Sequence, residues 1–253
     1  MHLHPTSLIA HRGESYDAPE NTLASVKLAW QKGAQIVEVD VRMTGDNEIC
    51  VIHDKNTKRT TGKNLTVKKA KLDALKKLDA GSWKGEKYMG EPIPGLKEIL
   101  DSVPKGGTLV LDLKGNENLP ERLSQYLAQS HLRKEQVKII AFNWKTLIRS
   151  RQLMPHHKML WLLDAWAIWG LFLRGRFPGA IIERLRGKGI EGVNMEDSCL
   201  ITKNVIQKFS EHNIPVYIWT INKPRRAAKF LRNGAQSIAT DRASWMQKQL
   251  KGM

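Results

Sequence analysis

Cysteine is nearly absent. Two residues, Cys50 and Cys199, lie far apart in a chain of 253, which excludes a disulfide framework and any zinc site built on four or paired cysteines. Acidic residues are outnumbered, 25 Asp and Glu against 41 Lys and Arg, leaving a formal net charge of +16. No apolar run is long enough to cross a bilayer: the longest, Met159 to Leu173, is broken by Asp164 and falls short of the roughly twenty residues a span needs. The opening Met1-His-Leu-His-Pro-Thr-Ser has neither the charged start nor the apolar stretch and cleavage site of a secretory leader. The expectation is a cytoplasmic protein, or a periplasmic or secreted one whose leader has been removed. No repeat of roughly 20–50 residues and no low-complexity tract occurs, so solenoids and flexible tails are not expected. A hydrophobic content of 41% is enough to bury a core.

What is present is an alternation of short β-type runs with helical patterns, the sequence form of an α/β protein with a parallel sheet and crossover helices. Strands are expected at Leu8–Ala10, Gln35–Val41, Ile49–His53, Thr108–Leu113, Val137–Ala141, Lys158–Leu163, Gly192–Asn194, Val216–Trp219 and Ser237–Thr240. Helices are expected at Thr22–Lys32, Leu96–Ser102, Leu119–Ser130, Trp144–Met154, Thr202–His212 and Pro224–Asn233, with Asn21 as an N-cap and Gly33 and Gly234 just past C-terminal ends. The strands exceed by one the number in a closed (β/α)8 barrel. The excess has a cause: Thr44-Gly45-Asp46-Asn47 reads as a tight turn, so Ile49–His53 folds back on Gln35–Val41. A two-residue turn sets Val51 opposite Asp40 and His53 opposite Glu38, on one face. Asn56 to Leu100 breaks the rhythm and is read as an insertion, at about 56–100, in a single domain spanning 1–253.

Glu38 and Asp40 share one face of their strand by period-two alternation, and in a barrel that face is the packed interior. Two ionised carboxylates are costly there unless something positive compensates. One divalent cation is the simplest compensation, and an all-oxygen ligand set favours Mg2+ or Ca2+. His11-Arg12-Gly13 follows the first strand directly, and His53-Asp54 closes the hairpin. Two imidazoles at strand ends can remove a proton at one side of a reacting centre and donate one at the other, and the planar fork of Arg12 suits phosphate oxygens.

These segments resemble the N-terminal signature of the glycerophosphodiester phosphodiesterases: His11-Arg12-Gly13, Pro19-Glu20-Asn21-Thr22, Val37-Glu38-Val39-Asp40-Val41 and Ile52-His53-Asp54. Leu78-Asp79-Ala80-Gly81-Ser82-Trp83, Ile93-Pro94-Gly95-Leu96, Trp219-Thr220-Ile221-Asn222 and Thr240-Asp241 are similar to later segments of the same family. The resemblance implies a TIM-type (β/α)8 barrel with its site at the C-terminal face and a small insertion after the second histidine strand. It also implies metal-dependent hydrolysis of a glycerophosphodiester to glycerol 3-phosphate and an alcohol. Carried over residue by residue, it makes His11 and His53 the acid–base pair, Glu38, Asp40 and Asp112 the metal ligands, and Arg12, Lys114 and Trp219 the substrate contacts. One departure is Leu111-Asp112-Leu113-Lys114, where the family usually carries Glu in place of Asp112. The side chain is one methylene shorter, so a cation must shift, bind through water or bind more weakly.

The expected partner is a small-molecule phosphodiester. Nucleic acid is not expected, because the basic residues are spread over helix faces and the insertion and match no nucleic-acid-binding motif. Steering of anionic diesters or attraction to an anionic membrane explains the sign of the charge equally well. Residues 164–178, rich in Trp and Phe and ending in Arg174 and Arg176, are expected either to meet an anionic membrane or to pack Trp166 and Trp169 on the barrel. Two other functions fit the same residues: a lysophospholipase D acting on acylated lysolipids, and a non-catalytic anion- or lipid-binding barrel. A monomer or weak oligomer is expected.

Overall fold

The computed structural model describes residues 8–115 and 118–253; the segment Met1–Ser7, read above for leader features, lies outside them. Nine strands form one sheet: β1 Leu8–Ala10, β2 Ile36–Met43, β3 Ile49–Val51, β4 Thr108–Leu113, β5 Val137–Ala141, β6 Lys158–Leu163, β7 Gly192–Glu196, β8 Val216–Trp219 and β9 Ser237–Thr240. Eight run parallel in the order β1-β9-β8-β7-β6-β5-β4-β2, and Ala10 pairs with Val37 to close the ring. This is the TIM-type barrel that was expected.

The helices are α1 Leu23–Gln31, α2 Lys58–Thr61, α3 Leu72–Lys76, α4 Leu96–Asp101, α5 Leu119–Ala128, α6 Trp144–Leu153, α7 Ala165–Leu173, α8 Gly179–Leu185, α9 Lys203–Ser210, α10 Pro224–Arg232 and α11 Ala243–Lys251. Their starts are chemically specified. The side chains of Thr22, Asn143, Asp164 and Thr202 accept from the amides of Ser25, Thr146, Ala167 and Val205. Thr22, and not Asn21, therefore caps α1; Asn21 takes a left-handed φ of 58° and serves the site instead. Helices α2, α3, α7, α8 and α11 have no counterpart among the helices expected from sequence. In α7, Ala-Trp-Ala-Ile-Trp-Gly-Leu-Phe-Leu, the apolar residues run round the whole helix and show little of the 3.6-residue alternation that marks a half-buried one.

Alternation along the parallel strands divides the core in two. Val37, Val39, Val41, Leu109, Leu111 and Ile139 point outward and pack under the helices, whereas Ile9, Ile36, Val110, Ile140 and Leu160 fill the barrel. Each such side chain contributes about 1.5–3 kcal/mol on burial, enough to hold the ring while its upper layer is given to polar groups.

The hairpin departs from expectation by one residue. Val51 pairs with Val41, Cys50 with Arg42 and Ile49 with Met43, so Val51 does not face Asp40 and His53 does not face Glu38. The reason lies in the turn. Thr44 faces Glu48 and the amide of Asn47 donates to the Thr44 carbonyl, with Asn47 at φ 60°, which makes a three-residue connection. The ladder stops at Val51, and beyond it the chain turns toward the barrel mouth.

Residues 56–95 carry α2 and α3 and close over a small apolar cluster of Cys50, Ile52, Val67, Leu75, Leu78 and Ile93. They are tied to the loop after β1: Tyr88 Oη donates to the Asp17 carbonyl at 2.7 Å and Lys84 Nζ to the Ser15 carbonyl at 2.7 Å. The two thiols differ accordingly. Burial pushes the Cys50 thiol up to about 12, while Cys199 is exposed. A thiol-specific disulfide reagent at neutral pH is expected to titrate one thiol in the native protein and two after denaturation, with Cys199→Ser abolishing the native signal.

Candidate active site

Period two on β2 places Glu38 and Asp40 inside the barrel, and the β2–β4 register sets Asp40 beside Asp112. All three are buried, and one carboxylate oxygen from each lies within 4.8 Å of the others. At such separations each pair of charges repels by roughly 3–4 kcal/mol even at an effective dielectric of about 20. Burial, then the neighbouring Asp40 charge, raises the Glu38 pKa. Burial also raises that of Asp112, although Lys114 opposes it.

Two cations answer part of this charge. Lys114 Nζ lies 2.5 Å from Asp112 Oδ2 and 3.1 Å from Asp40 Oδ1, and Arg12 Nε lies 3.1 Å from Asp40 Oδ2. Burial works to raise the Asp40 pKa, but Lys114 and Arg12 outweigh it and hold the carboxyl well below the usual range. The loop after β1 is shaped to deliver these contacts. Arg12 is left-handed at φ 56°, so its amide donates to Glu38 Oε2 at 2.9 Å while its guanidinium turns back to Glu20 at 2.8 Å. Gly13, at φ 81°, could not carry a Cβ, which would lie 2.6 Å from the backbone carbon of Ser25. Asn21 donates to Asp40 Oδ2 at 2.7 Å and accepts from the Asp40 amide at 3.0 Å.

The three carboxylates outnumber the two cations that touch them. Asp112 Oδ1 is buried without a hydrogen-bond partner, and so is Asn194 Oδ1 on β7, which lines the same cavity. Hard oxygens, excess negative charge and an unpartnered carboxylate oxygen together fit a divalent cation of the Mg2+ or Ca2+ type. The shorter Asp112 reaches the cluster and also pairs with Lys114.

Both histidines open onto this cavity, together with Arg12, Glu38, Asp112, Lys114, Phe142 and Trp219. The expected site residues thus meet in one place; Asp40 lies directly behind, joined through Lys114 and Arg12. His53 arrives there despite the corrected register, because Arg42 donates to its carbonyl from Nε at 2.8 Å and from Nη2 at 2.6 Å. Trp219 stands edge-on to Phe142 at 5.7 Å, and Lys114 lies 5.2 Å from the Phe142 ring centre, giving the cavity one aromatic wall.

The imidazoles are held differently. His11 Nδ1 donates to Asp241 Oδ1 at 2.7 Å; Asp241 is otherwise bound by the neutral Ser15 and Asn222. Burial lowers the His11 pKa, but the Asp241 bond and the Glu38 charge outweigh it and the net shift is upward. His53 Nδ1 donates to Asp54 at 2.7 Å, yet Asp54 is shared with Arg59, which also binds Glu20. Burial dominates there and lowers the His53 pKa. Sequence reasoning assigns no role to Asp241, Asn222, Asn194, Phe142 or Arg42, and reads Asn21 only as a helix cap. Several of them stand within matched segments, but what they do depends on which strand ends the barrel brings together.

Comparison with known proteins places this site in a family. Residues 11–244 match the model of the glycerophosphoryl diester phosphodiesterase family. The chain is 30% identical over 244 residues to a glycerophosphodiester phosphodiesterase of Caldanaerobacter subterraneus subsp. tengcongensis, covering 93% of this chain and 94% of that one. A lysophospholipase D of Rattus norvegicus is 27% identical over 97% of this chain and 86% of its own. Among solved structures, an Oleispira antarctica phosphodiesterase in complex with its product sn-glycerol-3-phosphate superposes with a TM-score of 0.87 at 31% identity, over 97% of this chain and 96% of that one. With barrel, cavity and signature residues all in agreement, the chain belongs to the glycerophosphoryl diester phosphodiesterase family.

Proposed function

We propose that the chain hydrolyses glycerophosphodiesters to glycerol 3-phosphate and an alcohol, with Glu38, Asp40 and Asp112 holding one divalent cation and His11 and His53 moving the protons. The observation that supports this reading most is the meeting of two imidazoles and the carboxylates of Glu38 and Asp112 at one cavity, with the Asp40 carboxylate directly behind. The match to the family, and a relative of similar fold bound to sn-glycerol-3-phosphate, support it.

A phosphodiester anion would be repelled by the carboxylate cluster as it stands, since Arg12 and Lys114 leave the cluster net negative. A bound divalent cation reverses that sign and opposes the charge that gathers on the phosphoryl oxygens. Arg12 and Lys114, already turned toward the cluster, place further positive charge beside the diester. Phe142 and Trp219 form a face on which the carbon skeleton of glycerol can rest.

The asymmetry of the histidines supports a division of their work. Asp241, with only neutral partners, favours the imidazolium form of His11, so His11 donates to the departing oxygen. His53, whose aspartate is shared with Arg59, stays neutral and accepts the proton of the nucleophile, either water or the substrate's own glycerol hydroxyl. A second reading, action on acylated lysolipids, draws support from the lysophospholipase D relative and from the exposed apolar helix beside the mouth.

Chelation is expected to abolish release of glycerol 3-phosphate from glycerophosphocholine, and refilling with Mg2+ or Ca2+ to restore it; undiminished turnover after exhaustive chelation would remove the cation from the reading. His11→Ala and His53→Ala are each expected to lower turnover by about 10²–10⁴ with an unchanged melting temperature. Asp241→Asn removes the group that raises the His11 pKa. The acid must be protonated to act, so the alkaline limb of the pH–rate profile should move to lower pH while the acid limb, set by His53, stays in place.

A further inference from the structure

We propose that the rim of the barrel mouth is a docking surface for an anionic lipid bilayer, with α7 seated in the interfacial layer. Among the described residues ten large apolar side chains are exposed. Nine lie on the mouth side: Tyr16 after β1, three in the insertion that packs on that loop, Phe142 after β5, and four on α7. The tenth, Met253, is the last residue. Such a one-sided distribution is not what a uniformly solvated barrel produces.

Helix α7 supplies most of it. Ile168 is its only fully buried side chain, with Leu171 packed partly against the core, so these two hold the helix to the barrel. Trp166 and Leu173 are 87% and 77% exposed, and Trp169 and Phe172 lie between them. Trp166 is thus not packed on the barrel, and Trp169 is partly covered, with Phe172 edge-on to it at 5.8 Å. No charged residue interrupts Ala165 to Leu173, and the helix is far too short to span a bilayer. Tryptophan beside aliphatic side chains suits the level of the lipid headgroups, where a ring can bury its body and keep its polar edge wet.

Charge selects the kind of membrane. Arg174 and Arg176 follow α7 directly and are exposed. Across the mouth, residues 56–95 carry ten Lys and Arg against four Asp and Glu. Acidic groups beside α7 are engaged with its own backbone: Asp164 caps it through the Ala167 amide at 2.7 Å, and Glu196 accepts from Ala165 at 2.8 Å. Apolar anchors flanked by cations on one rim match an anionic lipid surface. Except for Phe142, which also lines the cavity, this surface stands apart from the chemistry proposed inside the mouth.

The test is flotation of the full chain with vesicles of phosphatidylcholine alone and of phosphatidylcholine mixed equally with phosphatidylglycerol, at low salt. The protein should float with the anionic vesicles, and Trp166→Glu with Leu173→Glu should cut the bound fraction at least tenfold. Hydrolysis of soluble glycerophosphocholine and the melting temperature, measured in parallel, should not change. Absence of flotation on anionic vesicles, equal flotation on neutral ones, or undiminished binding of the double variant would overturn the proposal. So would a dimer in sedimentation velocity that the two substitutions dissolve, because α7 would then be covered by a second copy. Loss of soluble turnover in the wild-type protein would count against the phosphodiesterase reading and leave this one standing.

Discussion

Three carboxylates facing one another inside a barrel form the constraint to which the rest of the site responds. Their mutual repulsion, at a few kcal/mol per pair, is comparable with the whole net stability of a typical domain. It has to be met locally. Lys114 and Arg12 meet it with charge, and Asn21 meets it with two hydrogen bonds to Asp40. Two residues of one loop, Arg12 and Asn21, accept left-handed backbone to reach their positions, a local cost that is smaller than leaving the buried Asp40 charge behind them unanswered. Even so the three carboxylates outnumber the cations beside them, an imbalance that a bound cation would relieve.

The same electrostatics separates two histidines that are equivalent on paper. Each donates Nδ1 to an aspartate at 2.7 Å. The difference lies in what else surrounds each ring: burial, with Arg12 and Lys114, disfavours the charged form of His53, whereas Glu38 joins Asp241 in favouring that of His11. Proximity to a carboxylate is thus a poor guide to the protonation of an imidazole until burial and the other nearby charges are counted.

Much of the fold is legible in the sequence because parallel barrel strands are short, apolar and separated by capped helices. Strands β1, β4, β5, β6, β8 and β9 coincide with the expected runs, while β2, β3 and β7 differ only at their ends. The hairpin register differs by one residue because Asn47 takes the left-handed backbone that glycine usually supplies, lengthening the turn at a position no glycine marks. The convergence of Glu38, Asp40, His11 and His53 can be argued from strand ends and alternation alone. Asp112, Lys114 and Trp219 require the resemblance to a known family, since a single carboxylate or indole on a strand has no distinguishing pattern. The exposure of α7 is undecidable from sequence: an all-apolar nonapeptide reads the same whether its faces meet protein or open space.

The bond between His11 and Asp241 joins the residue after the first strand to the residue after the last, 230 positions apart. An emerging polypeptide therefore holds its carboxylate cluster and its first imidazole long before the group that orients that ring has been synthesised. A chain that stops short of β9 lacks both the last barrel strand and the carboxylate that holds His11, so the site is assembled only once the ring of strands is complete.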